Sequence, residues 1–520
     1  MSEPKICKKP VMSQGRIKNL VMEEGNLRIQ NLCGDLPEPL IRANEAASIG
    51  QTDKARQILH EQCRGEIEEL LNNDSSRTDI MLIVAMIFRQ VGRINMAKQL
   101  FEKIISQEPH GLIYNELGQT CEHIGSVSES IQHYRKAVQL SPEYGQLWVN
   151  LARALIETGQ AKEGLAMFRK AVESDPDNAA IHSNLLFYLH HLPDINSEIL
   201  FEEHLQWSRK HIPEQLTKKA YKNSRVNDRK LRIGYISPNF GSHPVTHFFE
   251  PLLDGHNREA VELYGYGNVM VHTHITERLK NKFGYYRNIR GMDNESIVEM
   301  IENDRIDILV DLSGHTADNS LMVMGHKPAP IQVAYLGYIY TTGMSAIDYR
   351  LTDELTESSD SQNYCTEESV FLPNGFYCYQ PLDEAGPVGP LPASKNGYIT
   401  FGVLGSSIKI NPVMIELWAK ILHAVKNSRL FFKFTGGNDN QVQEYYFEQF
   451  EKFGIDRDRI EITGWVCYTD YLEQYNNIDI VLDTYPKNGA TTTCEALWMG
   501  VPVVSLVGKL PFSRTRPEYT

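Results

Sequence analysis

Three consecutive threonines near the end of the chain could bind an anion. Thr491–Thr493 follow the turn signal Asn488-Gly489, and Gly500 with Pro502 ends the helix that the threonines begin. The first backbone N–H groups of a helix have no partner within it, and the helix dipole makes that end electropositive by about half a charge. A diphosphate would bind well there. The alternative is a capped helix whose threonines bond only their own backbone.

Glu495 follows on the same predicted helix, four residues after Thr491. We place it in the first turn, where a carboxylate suits the helix dipole. From there it can reach the ribose diol of a ligand whose diphosphate lies at the threonines. Together these residues predict a sugar-nucleotide pocket.

This helix belongs to an α/β region that fills the second half of the chain. Short β-branched or aromatic runs alternate there with helical patterns, which indicates parallel sheets covered by helices. The first series of predicted strands is Leu231–Ser237, Val261–Gly267, Ile306–Leu312, Ile331–Leu336 and Ile347–Thr352. The second series is Tyr398–Val403, Leu430–Phe434, Ile460–Thr463, Ile478–Leu482 and Val503–Leu506. We predict two doubly wound, Rossmann-like domains with ligands at the carboxyl ends of the strands.

The first half of the chain is a repeat array. Gly92, Gly125 and Gly159 are 33 and 34 residues apart. Small residues recur five positions after each glycine and aromatic residues nine positions after it, namely Ala97, Ser130, Gly164, Phe101, Tyr134 and Phe168. This spacing is typical of tetratricopeptide repeats, in which small residues let paired helices approach and the aromatic ring fills the gap. A more diverged copy surrounds Gly50, so we predict an α superhelix over residues 37–190.

Several segments of the chain resemble those of the tetratricopeptide-repeat glycosyltransferases, the group that includes protein O-GlcNAc transferase and the SPINDLY-type O-fucosyltransferases. The resemblance rests on the run Asn488–Val504 and on loops that begin at Pro238, Ser313, Leu336 and Gly405. It implies a GT-B architecture and an inverting transfer of N-acetylglucosamine from UDP to Ser or Thr of a polypeptide bound by the repeats. UDP-sugar donor and polypeptide acceptor are thus the expected partners.

The resemblance also divides the chain. The expected parts are an N-terminal segment at 1–36, the repeats at 37–190, a bridging helix and linker at 191–228, an N-terminal catalytic lobe at 229–390 and a C-terminal nucleotide-sugar-binding lobe at 391–520. Because the family continues for many tens of residues beyond Leu506, we expect the last lobe to be incomplete.

Lys409 is the residue that the resemblance assigns to phosphate binding. It precedes the helix start Asn411-Pro412, and its charge together with the threonine helix would stabilise a departing diphosphate without a metal. The alternative is a surface lysine in a loop. The other expected donor-binding residues are Leu336, Gly337, Ser406, Tyr471, Ala490, Thr491, Thr492, Thr493 and Glu495. Gly337 would let the backbone approach the hexose closely.

Two histidines are expected in the cleft. His243 matches the active-site histidine of the family's His-Pro-x-x-His segment, where an imidazole could accept a hydroxyl proton or orient the acceptor. The alternative is a helix cap before Pro244. Whether His243 or a donor phosphate oxygen takes the proton stays open. His315 is predicted as a second catalytic histidine, with a simple turn residue as the alternative.

Two patterns resemble metal sites but are predicted not to be. His243 and His247 are four apart, a ligand spacing on one helix face, yet no third ligand is obvious nearby. Asp456-Arg457-Asp458 lies in a charged connection, on the wrong side of the strand at Ile460–Thr463 for the cleft. We therefore expect no metal and no other cofactor.

Some positions depart from the family pattern. Tyr471 stands where the family usually has a nucleotide-contacting histidine, Ser406 replaces an amide, Ala490 replaces a histidine of the human-like enzymes, and Ile339 replaces a proline. A tyrosine can still stack on a nucleobase. These departures keep two alternatives open, namely a GDP-fucose donor and an inactive transferase that serves as a repeat-based adaptor.

Asn150 and Asn184 match the asparagines with which the family's repeats grip the acceptor backbone. The alternative is a pair of solvated helix residues. Glu116 and Ile83 stand at the equivalent positions of the other repeats, so the asparagine series is only partial.

Composition bounds the remaining possibilities. A net charge of −14 argues against an electrostatic hold on nucleic acid or on an anionic membrane. No run of about twenty apolar residues occurs, and no hydrophobic signal segment follows the N-terminus. The eight cysteines are scattered without metal-ligand spacing, which indicates free thiols in a reducing compartment. We expect a soluble, cytoplasmic protein.

Overall fold

The structure is a computed structural model. It describes residues 20–23, 26–29, 38–48, 51–65, 67–68, 78–212, 220–226, 228–358, 361–381 and 385–515. The chain divides into two compact units, one ending at Asp175 and the other beginning at Pro176. Gly50, most of the segment at 1–36 and part of the linker lie outside the described residues.

The first unit is a succession of helices that follows a short hairpin. Strands β1 (Leu20–Glu23) and β2 (Asn26–Ile29) pair antiparallel. The helices are α1 (Glu38–Ser48), α2 (Thr52–Gln62), α3 (Thr78–Gln90), α4 (Ile94–Gln107), α5 (Gly111–Ile124), α6 (Val127–Leu140), α7 (Gly145–Glu157) and α8 (Ala161–Ser174). From α3 onward each helix packs against the next, and α5 also contacts α7. This pattern confirms the predicted tetratricopeptide repeats.

The repeat positions pack as their residue types predict. Phe101, Tyr134 and Phe168 are fully buried. At Gly164 an added Cβ would lie 2.5 Å from the Ile156 side chain and 2.7 Å from the Ala152 carbonyl oxygen, so only glycine permits this helix approach. The small residues therefore set the spacing between helices, and the aromatic rings fill the core.

The second unit begins with two helices, α9 (Ala179–Leu189) and α10 (Ser197–His211), which pack on each other. The predicted array ends at residue 190, whereas α9 belongs to the second unit. The Trp207 indole Nε1 donates to the Ala179 carbonyl oxygen at 2.9 Å. A helix with repeat-like sequence is thus part of the catalytic half.

A seven-stranded, wholly parallel sheet follows, with the order β5-β4-β3-β6-β7-β8-β9. Its strands are β3 (Leu231–Ser237), β4 (Val261–Gly267), β5 (Tyr285–Asn288), β6 (Ile308–Asp311), β7 (Ile331–Ala334), β8 (Tyr349–Thr352) and β9 (Glu368–Phe371). The helices of this lobe are α11 (Thr246–Gly255), α12 (His274–Lys280), α13 (Asn294–Asn303) and α14 (Leu321–Gly325). The strand order reverses between β3 and β6.

The second sheet is also wholly parallel, with the order β12-β11-β10-β13-β14. Its strands are β10 (Thr400–Leu404), β11 (Arg429–Lys433), β12 (Ile460–Thr463), β13 (Ile480–Leu482) and β14 (Val503–Val504). Its helices are α15 (Pro392–Asn396), α16 (Pro412–Ala424), α17 (Asn440–Glu451), α18 (Tyr468–Gln474) and α19 (Thr491–Trp498). Two doubly wound lobes are present, as predicted, and the second reverses between β10 and β13.

Replacing Gly164 with Val should destabilise the repeat unit. The new side chain would overlap Ile156 and the Ala152 carbonyl, and overpacking of this kind costs about 1–3 kcal/mol. Denaturant unfolding of the variant measures the loss. The matched control is Ala166→Val on the exposed side of the same helix, and equal midpoints for the two variants would contradict the assigned packing.

Candidate active site

The carboxyl ends of β10 and β13 form the crevice where the second sheet reverses its strand order. In doubly wound folds, ligands bind at such a point because the loops on either side diverge. The loop after β10 carries Ser406 and Lys409, and the turn after β13 leads into α19. Both sequence-predicted segments therefore lie at one crevice.

Lys409 connects these two loops. Its Nζ donates to the main-chain carbonyl oxygen of Asn488 at 3.0 Å. The side chain of Asn411, which caps α16, also crosses the crevice and donates to the Tyr485 carbonyl oxygen at 2.6 Å. Lys409 and the threonine helix thus meet within the C-terminal lobe, and not across the gap between the lobes.

The turn before α19 is fixed by the buried carboxylate of Asp483. Its Oδ1 accepts from the Gly489 backbone N–H at 2.7 Å, and its Oδ2 accepts from the Ser505 hydroxyl at 2.7 Å. Burial raises the pKa of Asp483, and the charge of Lys409 opposes that rise. The carboxylate therefore holds the turn and supplies a nearby negative charge for Lys409.

The first turn of α19 lacks a side-chain cap. Ala490 occupies the N-cap position and offers no hydrogen-bond acceptor, so no side chain caps this helix. The Thr493 hydroxyl donates to the Gly489 carbonyl oxygen at 3.1 Å. The backbone-bonded alternative thus holds for Thr493, while the N–H groups at the helix start stay available to an anion.

A recess opens beside this helix, and we call it the lysine recess. It is lined by Val403, Leu404, Gly405, Ser406, Lys409, Ile410, Lys433, Val481, Leu482, Asp483, Thr484, Thr492 and Thr493. Ser406 is exposed at the recess, whereas Thr491 begins the helix next to it. The structure therefore brings Ser406, Lys409 and the threonines together.

Three lysines stand around the crevice, and the salt bridges found among the described residues include none of them. Desolvation lowers the pKa of Lys409 and of Lys433, with Asp483 and Glu495 respectively opposing the effect. Desolvation and the charge of Lys409 lower the pKa of Lys487 to about 7. Positive charge without a direct carboxylate partner favours an anionic ligand.

Glu495 lies in the second turn of α19 and not in the first, because the helix begins at Thr491. Its carboxylate is buried and accepts from the hydroxyls of Tyr468 at 3.1 Å and Tyr471 at 3.0 Å. Burial raises the pKa of Glu495 to about 7. Contact with a ribose remains a prediction for this residue.

Tyr471 is not placed to stack on a nucleobase. It is buried, its hydroxyl bonds Tyr475 and Glu495, and the Lys433 Nζ covers its ring at 4.4 Å from the centroid. One face of its ring is thus covered by Lys433 inside the lobe. Tyr471 supports Glu495 and Lys433 instead.

His243 lies in the turn between β3 and α11, which begins at Thr246. The ring is exposed, yet desolvation and the neighbouring His247 lower its pKa to about 4, so the ring is neutral at pH 7. Its Nδ1 accepts from the Val245 backbone N–H at 3.2 Å, which places the proton on Nε2. This tautomer leaves Nε2–H as a hydrogen-bond donor. No contact between described residues joins His243 to the lysine recess.

The two patterns that resemble metal sites lie in different parts of the fold. His243 precedes α11, whereas His247 is buried within it with its Nδ1 at 3.4 Å from the Gln380 carbonyl oxygen. Asp456 and Asp458 are exposed before the amino end of β12. In the described parts of the chain, the one cluster with metal-type ligands is Cys121, Glu129 and His133 in the first unit, where the Lys98 Nζ already bonds both Glu129 oxygens.

His315 is not a cleft residue, and its predicted catalytic assignment is wrong. The side chain is fully buried. Its Nε2 donates to the Thr342 carbonyl oxygen at 2.9 Å, and its Nδ1 accepts from the Ser183 hydroxyl at 3.0 Å. Both nitrogens are used to join α9 to the loops after β6 and β7, so no nitrogen is left for a substrate.

Leu336 and Gly337 follow β7. Leu336 is buried and adopts a left-handed backbone with φ of 72°, a strained conformation for leucine. A Cβ on Gly337 would lie 2.1 Å from the Leu312 carbonyl oxygen. The glycine is therefore required by the neighbouring backbone of the lobe, and its close approach to a hexose stays a prediction.

The two predicted peptide-binding asparagines differ. Asn150 is buried, its Nδ2 donates to Asn115 Oδ1 at 2.7 Å, and its Oδ1 accepts from Gln146 at 3.1 Å. Both polar atoms of its amide bond neighbouring side chains, one of them in the preceding repeat, and contact with an acceptor peptide stays a prediction. Asn184 on α9 is half-buried, and the hydrogen bonds of the described residues do not involve its amide.

Lys433, Lys487 and Tyr468 were not predicted as site residues. Lys433 ends β11 beside β10, and its position could have been inferred from the parallel order of the strands. Lys487 lies one residue before the asparagine that binds Lys409, which is a usable sequence signal. Tyr468 begins α18, and nothing in its surrounding sequence indicates a bond to Glu495.

Replacing His315 with Ala should lower stability and leave nucleotide binding unchanged. Loss of two buried hydrogen bonds costs about 1–3 kcal/mol each when a partner is left unpaired. Thermal unfolding and calorimetric titration with UDP check the two expectations. A stable variant that no longer binds UDP would restore the catalytic interpretation.

Glu495 should make stability depend on pH. Its folded pKa of about 7 lies above its ordinary 4.5, so its contribution is full below pH 4.5 and is lost as pH rises through 7. Between pH 5 and 8 the protein should lose about 2–3 kcal/mol relative to Glu495→Gln, whose side chain cannot ionise. Parallel unfolding curves for the two proteins across this range would contradict the buried acid.

Helices long and apolar enough to cross a bilayer are lacking in the described parts of the chain.

Known proteins with similar sequences include plant glycosyltransferases. The chain is 38% identical over 332 residues to the probable UDP-N-acetylglucosamine–peptide N-acetylglucosaminyltransferase SPINDLY of Hordeum vulgare. This match covers 63% of this chain and 35% of that protein. It is 30% identical over 288 residues to the corresponding Arabidopsis thaliana protein SEC, across 54% of this chain and 29% of that protein. This chain therefore spans about a third of the length of these relatives.

A solved structure shares the fold. An O-GlcNAc transferase mutant of Thermobaculum terrenum matches with a TM-score of 0.78 and 32% identity, covering 85% of each chain. A tetratricopeptide repeat profile matches residues 125–185. The profile of glycosyl transferase family 41 matches residues 181–381 and 391–516, which is more than half of the sequence. The chain belongs to glycosyl transferase family 41.

Proposed function

We propose that this protein is an inverting O-glycosyltransferase that moves N-acetylglucosamine from UDP-GlcNAc to Ser or Thr of a polypeptide. The observation that carries the proposal is the 3.0 Å bond from the Lys409 Nζ to the Asn488 carbonyl, which fixes a lysine beside the uncapped start of α19. The names of the plant relatives and of the Thermobaculum structure support the choice of sugar.

Departure of the diphosphate is the step that this geometry serves. Negative charge grows on the leaving group as the glycosidic bond breaks, and preorganised donors stabilise it best. Lys409 supplies a cation and the first N–H groups of α19 supply dipoles, so metal assistance is not needed for this step. We propose that the enzyme is metal-independent.

The acceptor hydroxyl must lose a proton during transfer. The hydrogen bond from Val245 to Nδ1 implies that His243 presents Nε2–H, which can orient the acceptor by donating a hydrogen bond but does not accept a proton there. Of the two bases that the sequence leaves open, this favours a phosphate oxygen of the donor. His243 is then a positioning residue.

The polypeptide partner is proposed to reach the site along the repeats, with Asn184 on α9 as a contact. The half-buried amide of Asn184 is a suitable donor and acceptor for extended backbone. Cys121, Cys365, Cys378 and Cys467 are free thiols, which supports a reducing cytoplasmic setting.

Incubation of the protein with radiolabelled UDP-GlcNAc or GDP-fucose and a cell lysate tests the transfer. We expect label on protein from UDP-GlcNAc, with the same rate in the presence of EDTA. Label from GDP-fucose alone would reassign the donor. Absence of transfer from both, together with capture of a partner by the repeats, would favour the adaptor.

Replacing Lys409 with Ala should lower kcat by about 10²- to 10³-fold, because one preorganised electrostatic contact to the leaving group is lost. KM for the polypeptide should change little, since Lys409 is assigned to the donor and not to the acceptor. Steady-state kinetics with Lys426→Ala, an exposed lysine of the same lobe, provide the control. Equal turnover by both variants would contradict the assignment.

A further inference from the structure

Lys487 has an unusual environment, and the chemistry proposed above assigns no role to this residue. Its Nζ lies over the Phe187 ring of α9, 4.2 Å from the centroid, and the described carboxylates form no salt bridge with it. The Thr484 hydroxyl donates to the Lys487 carbonyl oxygen at 2.8 Å, so the turn that carries the lysine is held in place. Lys487 is partly exposed, so an anion can approach the side of the ammonium that the ring does not cover.

The groups around Lys487 come from two elements besides its own turn. Lys409 reaches over from the loop after β10 and bonds the next residue, Asn488. His190 and His191 stand at the end of α9, and Lys487 contributes to the lowering of the pKa of both rings. All of these neighbours are neutral or positive, so none of them neutralises Lys487.

We propose that Lys487 is a second cation of the donor site and binds the diphosphate together with Lys409. This inference rests on the proposed nucleotide-sugar donor. It assigns to Lys487 part of the charge that a metal supplies in other diphosphate-binding enzymes.

Binding should be coupled to protonation. Desolvation and the charge of Lys409 lower the pKa of Lys487 to about 7, so about half of the free protein carries a neutral lysine at pH 7. A bound diphosphate offsets the charge of Lys409 and attracts a proton, which raises the pKa of Lys487 again. The protein should therefore take up a fraction of a proton as it binds UDP, and affinity should fall as pH rises through 7 and above.

A general base is the other chemistry open to a lysine with this pKa. The bound donor opposes this role of general base. It must be in place before the acceptor reacts, and its negative charge keeps Lys487 protonated. We therefore assign the lysine to anion binding.

Calorimetric titration of the full chain with UDP and with GDP tests the inference, at pH 6.0 to 8.5 and in two buffers of different ionisation enthalpy. Lys487→Met should weaken binding of the preferred diphosphate about 10- to 100-fold at pH 6.5, as expected for loss of a charged hydrogen bond. It should weaken binding of the nucleoside monophosphate less and abolish proton uptake. Lys487→Arg should bind without proton uptake, since arginine does not titrate.

Lys426→Met controls for the loss of a distant positive charge, and circular dichroism confirms that each variant is folded. Unchanged affinity and unchanged proton uptake in Lys487→Met would overturn this inference and leave the proposed transferase intact. Failure of the unaltered protein to bind either diphosphate would overturn both.

Discussion

A lysine ammonium held by a main-chain carbonyl is the contact on which the C-terminal lobe depends. Because Lys409 bonds the Asn488 carbonyl and not a carboxylate, its charge is oriented without being cancelled. The partner turn is rigid since Asp483 accepts from Gly489 on one side and Ser505 on the other. The side chain of Asn488 adds bonds to the Thr484 and Leu506 carbonyl oxygens. The crevice between β10 and β13 is thus preorganised before any ligand arrives.

The sequence predicted the architecture well where strands are buried on both faces. The bounds of β3 and β4 agree with the prediction residue for residue, because their apolar runs end at turn residues. Strands β5 and β9 were missed. Both lie at the edges of the seven-stranded sheet, where half-exposed residues such as Tyr285 and Phe371 do not produce an apolar run.

The order of the strands alone brings some candidate site residues together, whereas distant segments decide the surroundings of others. Lys409 and the threonines lie at strand ends next to each other, and the parallel order of the sheet alone brings them together. His315 also lies at a strand end, but Ser183, far upstream in the sequence, covers it. Asn150 has the residue type of a peptide contact, yet a bond to Asn115 from the preceding repeat uses its amide.

The contacts of α9 limit where recombination can join a repeat array to the transferase lobes. Its Ser183 and His190 bond His315 and Tyr338 of the seven-stranded lobe, so the helix is integral to the catalytic core although its sequence continues the repeats. Genetic recombination that exchanges one array for another would preserve these contacts only with a junction upstream of Ala179, and the boundary between Asp175 and Pro176 is such a place. Modular shuffling in this lineage should therefore carry α9 along with the transferase lobes.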